Sequence, residues 1–369
     1  MILNEEQQML RDSAQAWARD NAPVRAYRQM RDRGEPLGFD RKLYAQIAEL
    51  GWTAIAIPEE HGGMNMGYVS VGLILEELGK TLTASPLLSS TVGASAIVLG
   101  GSKEQQTQWL PRIAAGSAIV TLAIEEGPRH APDQVAVQAR REGKQWVLSG
   151  TKRHVAEGMA ADAFIVSSIT TDGRIALFLV PATTVGVTRT AQQTMDARGH
   201  ASVQFVDVKL GDDAELRGMP NKLLDAVLDR ARIALAAEML GMATQAFTTT
   251  VEFLKVRVQF GQPIGSFQAL QHRAAEMFTD LELTRSVVEA ALVAVDTQSA
   301  ELPLMASLAK LRAGETLKLI SNEMVQMHGG IGMTDEHDAG LYLKRARVAD
   351  ATFGNTGFHR ERFGRLSGS

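Results

Sequence analysis

Fifteen residues, Arg257 to Gln271 (RVQFGQPIGSFQALQ), hold the densest chemistry in this chain of 369 residues. Arg257 brings a planar, permanently charged fork suited to paired phosphates. Phe260 adds an aromatic face, and Gln259, Gln268 and Gln271 add amide donors and acceptors. These side chains bracket a tight turn carrying Gly261, Pro263 and Gly265, with apolar helical stretches on either side. Such a set can hold a dinucleotide without the usual glycine fingerprint. A second segment, QMHGGIGMTDEH at 326–337, closes another long helical pattern. Gln326 ends that pattern, and Gly329, Gly330 and Gly332 let backbone approach a ligand closely. The same glycines suit an ordinary helix C-cap with no ligand.

The elements that must position these groups fall into three stretches. The first is helical: Asn4 with Gln7 makes a capping box ahead of Leu3, Leu10 and Trp17 at helical spacing. Phe39, Leu43, Ile47 and Leu50 form a further stripe closed by Gly51, and Ser102 with Gln105 opens a helix stopped near Gly116. From about Ile119 to Val208 the sequence breaks into short apolar runs, VTLAI, VAVQA, WVLS, AFIVSS, IALFLV and SVQFVDV, separated by turn residues. That texture predicts a small antiparallel β domain. Helical patterns then return over 223–256, 268–296, 303–327 and 337–350, a four-helix bundle. Helices and strands that do not alternate define an α+β fold. The expected domains are 1–118, 119–217 and 218–369.

Composition narrows the function. The net charge of -4 gives no basic footprint for nucleic acid. There is no cysteine, which excludes disulfides, iron–sulfur clusters and thiolate metal sites. No apolar run approaches the ~18 residues of a membrane span, and the acidic, polar start MILNEEQQML is unlike a signal peptide. A cytoplasmic protein is expected. The eight histidines make no metal-binding spacing, no phosphate loop with Lys-Ser/Thr exists, and no serine sits in an elbow motif. GGIG at 329–332 lacks the preceding strand and following helix of a dinucleotide fingerprint.

RVQFGQPIGSFQ resembles the RxQFGxPIxxFQ signature of the acyl-CoA dehydrogenase family of flavoproteins, and the order helices, β domain, helices resembles the helical, β-barrel-like, helical order of that fold across essentially the whole chain. The resemblance implies FAD, with Arg257, Gln259, Phe260, Gln268 and Gln271, together with Gln326 and Gly330, holding its ADP half, usually for a neighbouring subunit. It also implies an acyl-CoA thioester as substrate, with Asp229 and Arg232 near its tail. The alternative for those two is an exposed helical pair at i, i+3.

Other parts depart from the family. LAIEEGPRHAPD (122–133) replaces its Leu-Thr-Glu-Pro and Ala-Gly-Ser-Asp segments. In SGTKRHVAEG (149–158), Lys152 and Gly158 match, but His154 stands where Trp meets the flavin and Ala156 where a hydroxyl bonds the ring. The catalytic carboxylate, which must remove the α proton, is missing from both usual seats, where Gly354 and Ala231 stand. Glu238 lies two turns, ~10 Å, beyond Ala231 in the apolar run IALAAEML. It is either a relocated base or a carboxylate paired with an Arg or capping a neighbouring helix. Erosion on the chain's own flavin side, with the shared side intact, resembles the small subunits of two-component bacterial acyl-CoA dehydrogenases, pimeloyl-CoA dehydrogenase among them. The implied assembly is a heterotetramer with a larger sister acyl-CoA dehydrogenase subunit, passing electrons to an electron-transferring flavoprotein. Alternatives are a self-sufficient homo-oligomer with a relocated base, a related flavoprotein with oxidase or desulfinase chemistry, and a non-catalytic stabilising or binding subunit.

Overall fold

Both capping boxes close as their spacing predicts. In the computed structural model, which describes residues 1–219 and 221–368, the Asn4 side-chain Oδ1 accepts from Gln7 N–H and the Gln7 side chain accepts from Asn4 N–H. Helix α1 follows over Glu5–Asn21. After it come α2 (Val24–Asp32), α3 (Arg41–Glu49), α4 (Gly67–Lys80) and α5 (Leu87–Gly100). Helix α6 (Lys103–Ala114) starts on the Ser102–Gln105 box. Gly51 and Gly116, which end α3 and α6, have φ of 77° and 66°, a conformation most side chains resist.

The strands are β1 (Val120–Ala123), β2 (Gln138–Glu142), β3 (Gln145–Ala156), β4 (Ala163–Thr170), β5 (Ile175–Pro181), β6 (Val187–Gln192), β7 (His200–Leu210) and β8 (Glu215–Leu216). Helix α7 (Leu223–Val256) leads to a two-strand hairpin, β9 (Val258–Gln259) and β10 (Gln262–Pro263). Helices α8 (Gln268–Asp296), α9 (Leu302–His328), α10 (Ala339–Ala351) and α11 (Thr356–Ser367) complete the chain. The α+β order stands. The last helix, α11, is additional to the four C-terminal patterns; its polar sequence, TGFHRERFGRLS, hides the periodicity, while Asn355 caps it through Phe358 N–H.

The residues divide into two units. One comprises 29–67 and 84–231 and contains the large sheet. Its order is β6-β7-β3-β2-β4-β5-β8, with β1 beside β4. Pairing is antiparallel except β1–β4 and β2–β4, which are parallel. The sheet is therefore mixed, and its end strands do not pair with each other to close a barrel. Alternate residues of β3, β4, β5 and β7, including Trp146, Leu148, Phe164, Val166, Phe178, Val180, Val203 and Phe205, pack one core. The short polar strand β6 carried no apolar run to announce it.

The other unit comprises 1–28, 68–83 and 232–369, and is helical apart from the β9–β10 hairpin. Within it α4 and α7 touch through bare backbone. A Cβ on Gly241 would collide with the Glu76 carbonyl, and one on Gly79 with the Glu238 carbonyl. Neither glycine can take a side chain without separating the helices. Among the described residues, no helix is long and apolar enough to cross a membrane.

Gly241→Ala should therefore lower stability by about 1–3 kcal/mol, the usual range for overpacking. Gly364→Ala, in α11 with nothing within 4 Å of its added methyl, should raise it by about 0.5–1 kcal/mol. Urea unfolding of both variants checks the pair; equal effects would mean the α4–α7 approach is not tight.

Candidate functional site

The hairpin after α7 is closed by Ile264 N–H donating to the Arg257 carbonyl at 2.8 Å, while Arg257 N–H donates back to Phe253 at 2.9 Å. Gln259 pairs with Gln262 and Val258 with Pro263. That leaves a two-residue turn, Phe260–Gly261, in which both residues have positive φ, 53° and 80°. This is the mirror-image turn that matches strand twist, and an aromatic residue in its first position is locally unfavourable. Phe260 is also 92% exposed, touching the Phe267 ring edge-on at 6.2 Å between centroids. Val256 and Val258 beside it are exposed as well.

Arg257, Gln259, Gln268 and Gln271 all lie on this open surface. The Gln259 amide donates to the Val258 carbonyl, and that of Gln271 to Gly265. The first turn of α8 has no side-chain cap, so free N–H groups and a helix dipole accompany the Arg257 cation. Positive charge, unsatisfied donors and an aromatic face suit a pyrophosphate attached to a flat ring.

The second motif lies in the same unit. Gln326 and Gly330 are exposed, and Gly329 N–H donates to the Gln326 carbonyl as α9 ends. Thus the glycine cap and the open backbone coexist. The Phe253 ring, one turn before Arg257, lies 4.3 Å from the His328 ring, which lies 4.2 Å from that of His337. An Arg273–Glu323 ion pair further ties α8 to α9. The sequence did not single out Phe253, His328 or His337; for Phe253 the available signal was its position one helical turn before Arg257, and for the two histidines their place within QMHGGIGMTDEH.

The expected seats of a base are occupied otherwise. Gly354 has φ of 103°, and a Cβ there would meet the Phe358 ring at 2.5 Å and His359 Nε2 at 2.9 Å. Its carbonyl accepts from Lys310 Nζ at 3.1 Å, as does that of Asp350 at 3.0 Å. The preceding Phe353 carbonyl lies 3.3 Å from Arg232 Nε and 3.0 Å from His359 Nε2. Lys310 is completely buried, and that burial pushes its pKa down to about 7, with Asp350 opposing and Arg232 and Arg345 reinforcing the shift. A lysine inside the apolar stripe LPLMASLAKL was a legible sign that sequence inspection passed over.

Glu238 is buried in α7, and both its oxygens accept from the Arg345 guanidinium at 3.0–3.2 Å. This is the Arg-paired arrangement rather than a free carboxylate in an apolar pocket. Asp229 and Arg232 are also buried, so they are not the exposed i, i+3 pair considered as an alternative. Ala231 is buried too.

In the sheet-containing unit the divergent loop is held by its own acids. Lys152 is fully buried, and its Nζ donates to Glu126, to the Ile124 carbonyl at 3.1 Å and to Ser167 Oγ at 2.9 Å. Burial lowers its pKa to about 8, Glu126 opposing. Glu126 also accepts from Ala136 and Val137 N–H, and Glu125 pairs with His130. His154 sits exposed at an irregularity between Lys152 and Val155, with φ of 51° and its N–H on the Gln192 side chain. The Ala156 carbonyl accepts from Thr121. A cavity of about 950 Å³ in this unit is lined by Asp133, Arg141, Arg174, Arg217 and Asp225, among others.

The chain matches the acyl-CoA dehydrogenase N-terminal domain over residues 4–117 and the acyl-CoA dehydrogenase C-terminal domain over 222–367, and it belongs to that family. It is 33% identical over 350 residues to acyl-CoA dehydrogenase IpdE2 of Mycobacterium tuberculosis, covering 93% of this chain and 91% of that protein. A solved structure of the steroid ACAD Tcur3481-Tcur3483 matches with a TM-score of 0.90 at 30% identity, covering 99% of this chain and 98% of that one. The ChsE4-ChsE5 complex from Mycobacterium tuberculosis also gives a TM-score of 0.90, at 27% identity, covering 100% of this chain and 98% of that one.

Two substitutions separate structure from chemistry here. Glu238→Gln strands the Arg345 charge and should cost about 3–5 kcal/mol, visible as a lower Tm that adding Arg345→Met partly restores. Unaltered stability together with abolished turnover would instead make Glu238 a base. Gly354→Glu should lower Tm through collision with Phe358 and produce no enoyl-CoA from the chain alone; a gain of turnover would mean the seat opens.

Proposed function

We propose that this chain is the small subunit of a two-component acyl-CoA dehydrogenase, completing the FAD site of a larger sister subunit. The observation that carries this is an asymmetry. Arg257, Gln259, Phe260, Gln268 and Gln271 lie open to solvent on one exposed edge, as do Gln326 and Gly330, whereas the Gly354 seat is sterically closed and Glu238 is committed to Arg345. Exposed Phe260, Val256 and Val258 favour a protein neighbour at that edge. The heteromeric ChsE4-ChsE5 complex is a relative of the proposed kind.

When bound, FAD supplies the acceptor for the hydride leaving the β carbon of an acyl-CoA thioester. The chain's part is to bind and orient: Arg257 and the first turn of α8 take the phosphates, the glutamine amides take polar edges, and Phe260 covers a ring. Asp229 and Arg232 serve the acyl-CoA tail, Arg232 through the Phe353 carbonyl. An electron-transferring flavoprotein would take the electrons, in the cytoplasm, and the stretches 1–118, 119–217 and 218–369 would act as the three parts of the subunit.

FAD content and native mass of the purified chain test this. Expected are little FAD from the chain alone and full flavin when a sister subunit is co-expressed, with Arg257→Ala lowering the flavin content of the complex at least tenfold. About one FAD per protomer in a homo-oligomer that turns over acyl-CoA would overturn it in favour of a self-sufficient enzyme.

A further inference from the structure

Resting on the cofactor role just proposed, the geometry points to His328 and His337 as positioning residues for the edge carrying Arg257, Gln326 and Gly330, holding it in place only while both imidazoles are neutral. The Phe253–His328–His337 stack joins the two halves of that edge, beside the Arg273–Glu323 ion pair between α8 and α9. Phe253 accepts the N–H of Arg257 through its carbonyl, and His328 stands two residues beyond Gln326. Ring centroids 4.3 and 4.2 Å apart, tilted by 30° and 41°, leave no gap for water between them.

The tautomers follow from the hydrogen bonds. His328 Nδ1 lies 2.7 Å from the Met324 carbonyl and so carries the proton. Its Nε2 is buried and has no hydrogen-bond partner among the described residues, in a side chain 5% exposed. His337 Nδ1 accepts from Ala339 N–H at 3.1 Å, which places its proton on Nε2. A second proton on His328 would create a buried N–H donor without an acceptor, against a neighbouring imidazole.

Charge around the stack is mixed. Phe253 on α7 is neutral. Asp338, beside His337, favours its protonated form, while Arg28 of α2 opposes it and is itself paired with Asp335 and Asp338. Burial is the leading influence on both rings and lowers both pKa values from 6.5, and His337 lowers that of His328 further. With the folded values depressed, the neutral rings contribute fully above the ordinary histidine value near 6.5. That contribution is lost as pH falls through the depressed folded values. Acid should therefore loosen the stack.

Ring NMR titration and amide hydrogen exchange on the full chain at pH 7.5 and 5.5 test the device without a partner. Both rings should titrate below 6.5, and protection over 326–337 should fall at least tenfold in acid beyond the intrinsic pH dependence. His337→Phe, which stacks and leaves only His328 to charge, should lose less protection in acid than the parent, and the double variant His328→Phe/His337→Phe should keep it at both pH values; His328→Phe is the second single variant if the first does not fold. Unchanged protection in the unmodified chain would overturn the proposal. FAD release from the co-expressed complex gives the second readout: acid release in the parent, reduced in His337→Phe and abolished in the double variant, supports the positioning role. A stack that opens in acid while the complex keeps its FAD equally at both pH values rejects that role. A complex that never holds FAD at pH 7.5 rejects the subunit reading instead.

Discussion

Four described lysine and arginine side chains are buried in the helical unit, and three of them, Arg232, Lys310 and Arg345, shape the end of the chain by how they find oxygen. Arg345 takes both oxygens of Glu238; Arg232 and Lys310 take the backbone carbonyls of Phe353, Asp350 and Gly354. A desolvated charge left without such partners would be prohibitive. Two successive carbonyls after α10 are thereby turned inward, and the chain can make that turn only with the positive φ of Gly354. Thr356 then docks on the Asp350 carboxylate at 2.7 Å, and α11 begins. The missing carboxylate of the family is thus more than one substitution. The surrounding backbone is locked in a form that has no room for it.

The opposite character marks the β9–β10 edge. There, charged and polar side chains bond little beyond their immediate neighbours, and a phenylalanine stands out in a left-handed turn. Local strain with large apolar exposure is stable only where something outside the unit compensates for it. One region binds its buried cations with its own carbonyls and carboxylate, while the other leaves its polar side chains open to solvent, and this contrast organises the functional assignment more firmly than any single residue.

Much of this was legible beforehand. Capping boxes at Asn4 and Ser102, glycine stops at Gly51 and Gly116, and the apolar runs of β4 and β5 are local signals, and local signals survive folding. The β9–β10 edge could be singled out because Arg257, Gln259, Phe260, Gln268 and Gln271 lie close together in sequence. Illegible features were the non-local ones. The pairing of Glu238 with Arg345 joins positions 107 residues apart, and α4 meeting α7 at Gly79 and Gly241 leaves no mark on either helix alone. The parallel pairings of β4 depend on the path of the connections. Polar α11 and β6 lacked the apolar rhythm by which elements are recognised.

The division of residues has a bearing on biosynthesis. All residues of the sheet-containing unit precede position 232, whereas the helical unit draws on both ends of the chain. Glycine-lined α4 has no α7 to lie against until more than half the chain has left the ribosome. During translation the apolar faces of α1 and α4 would wait unpartnered, while the sheet could already form. The opening segments of this protein would then depend on chaperone protection for longer than those at its centre, and that exposure would end only when its last helices emerge.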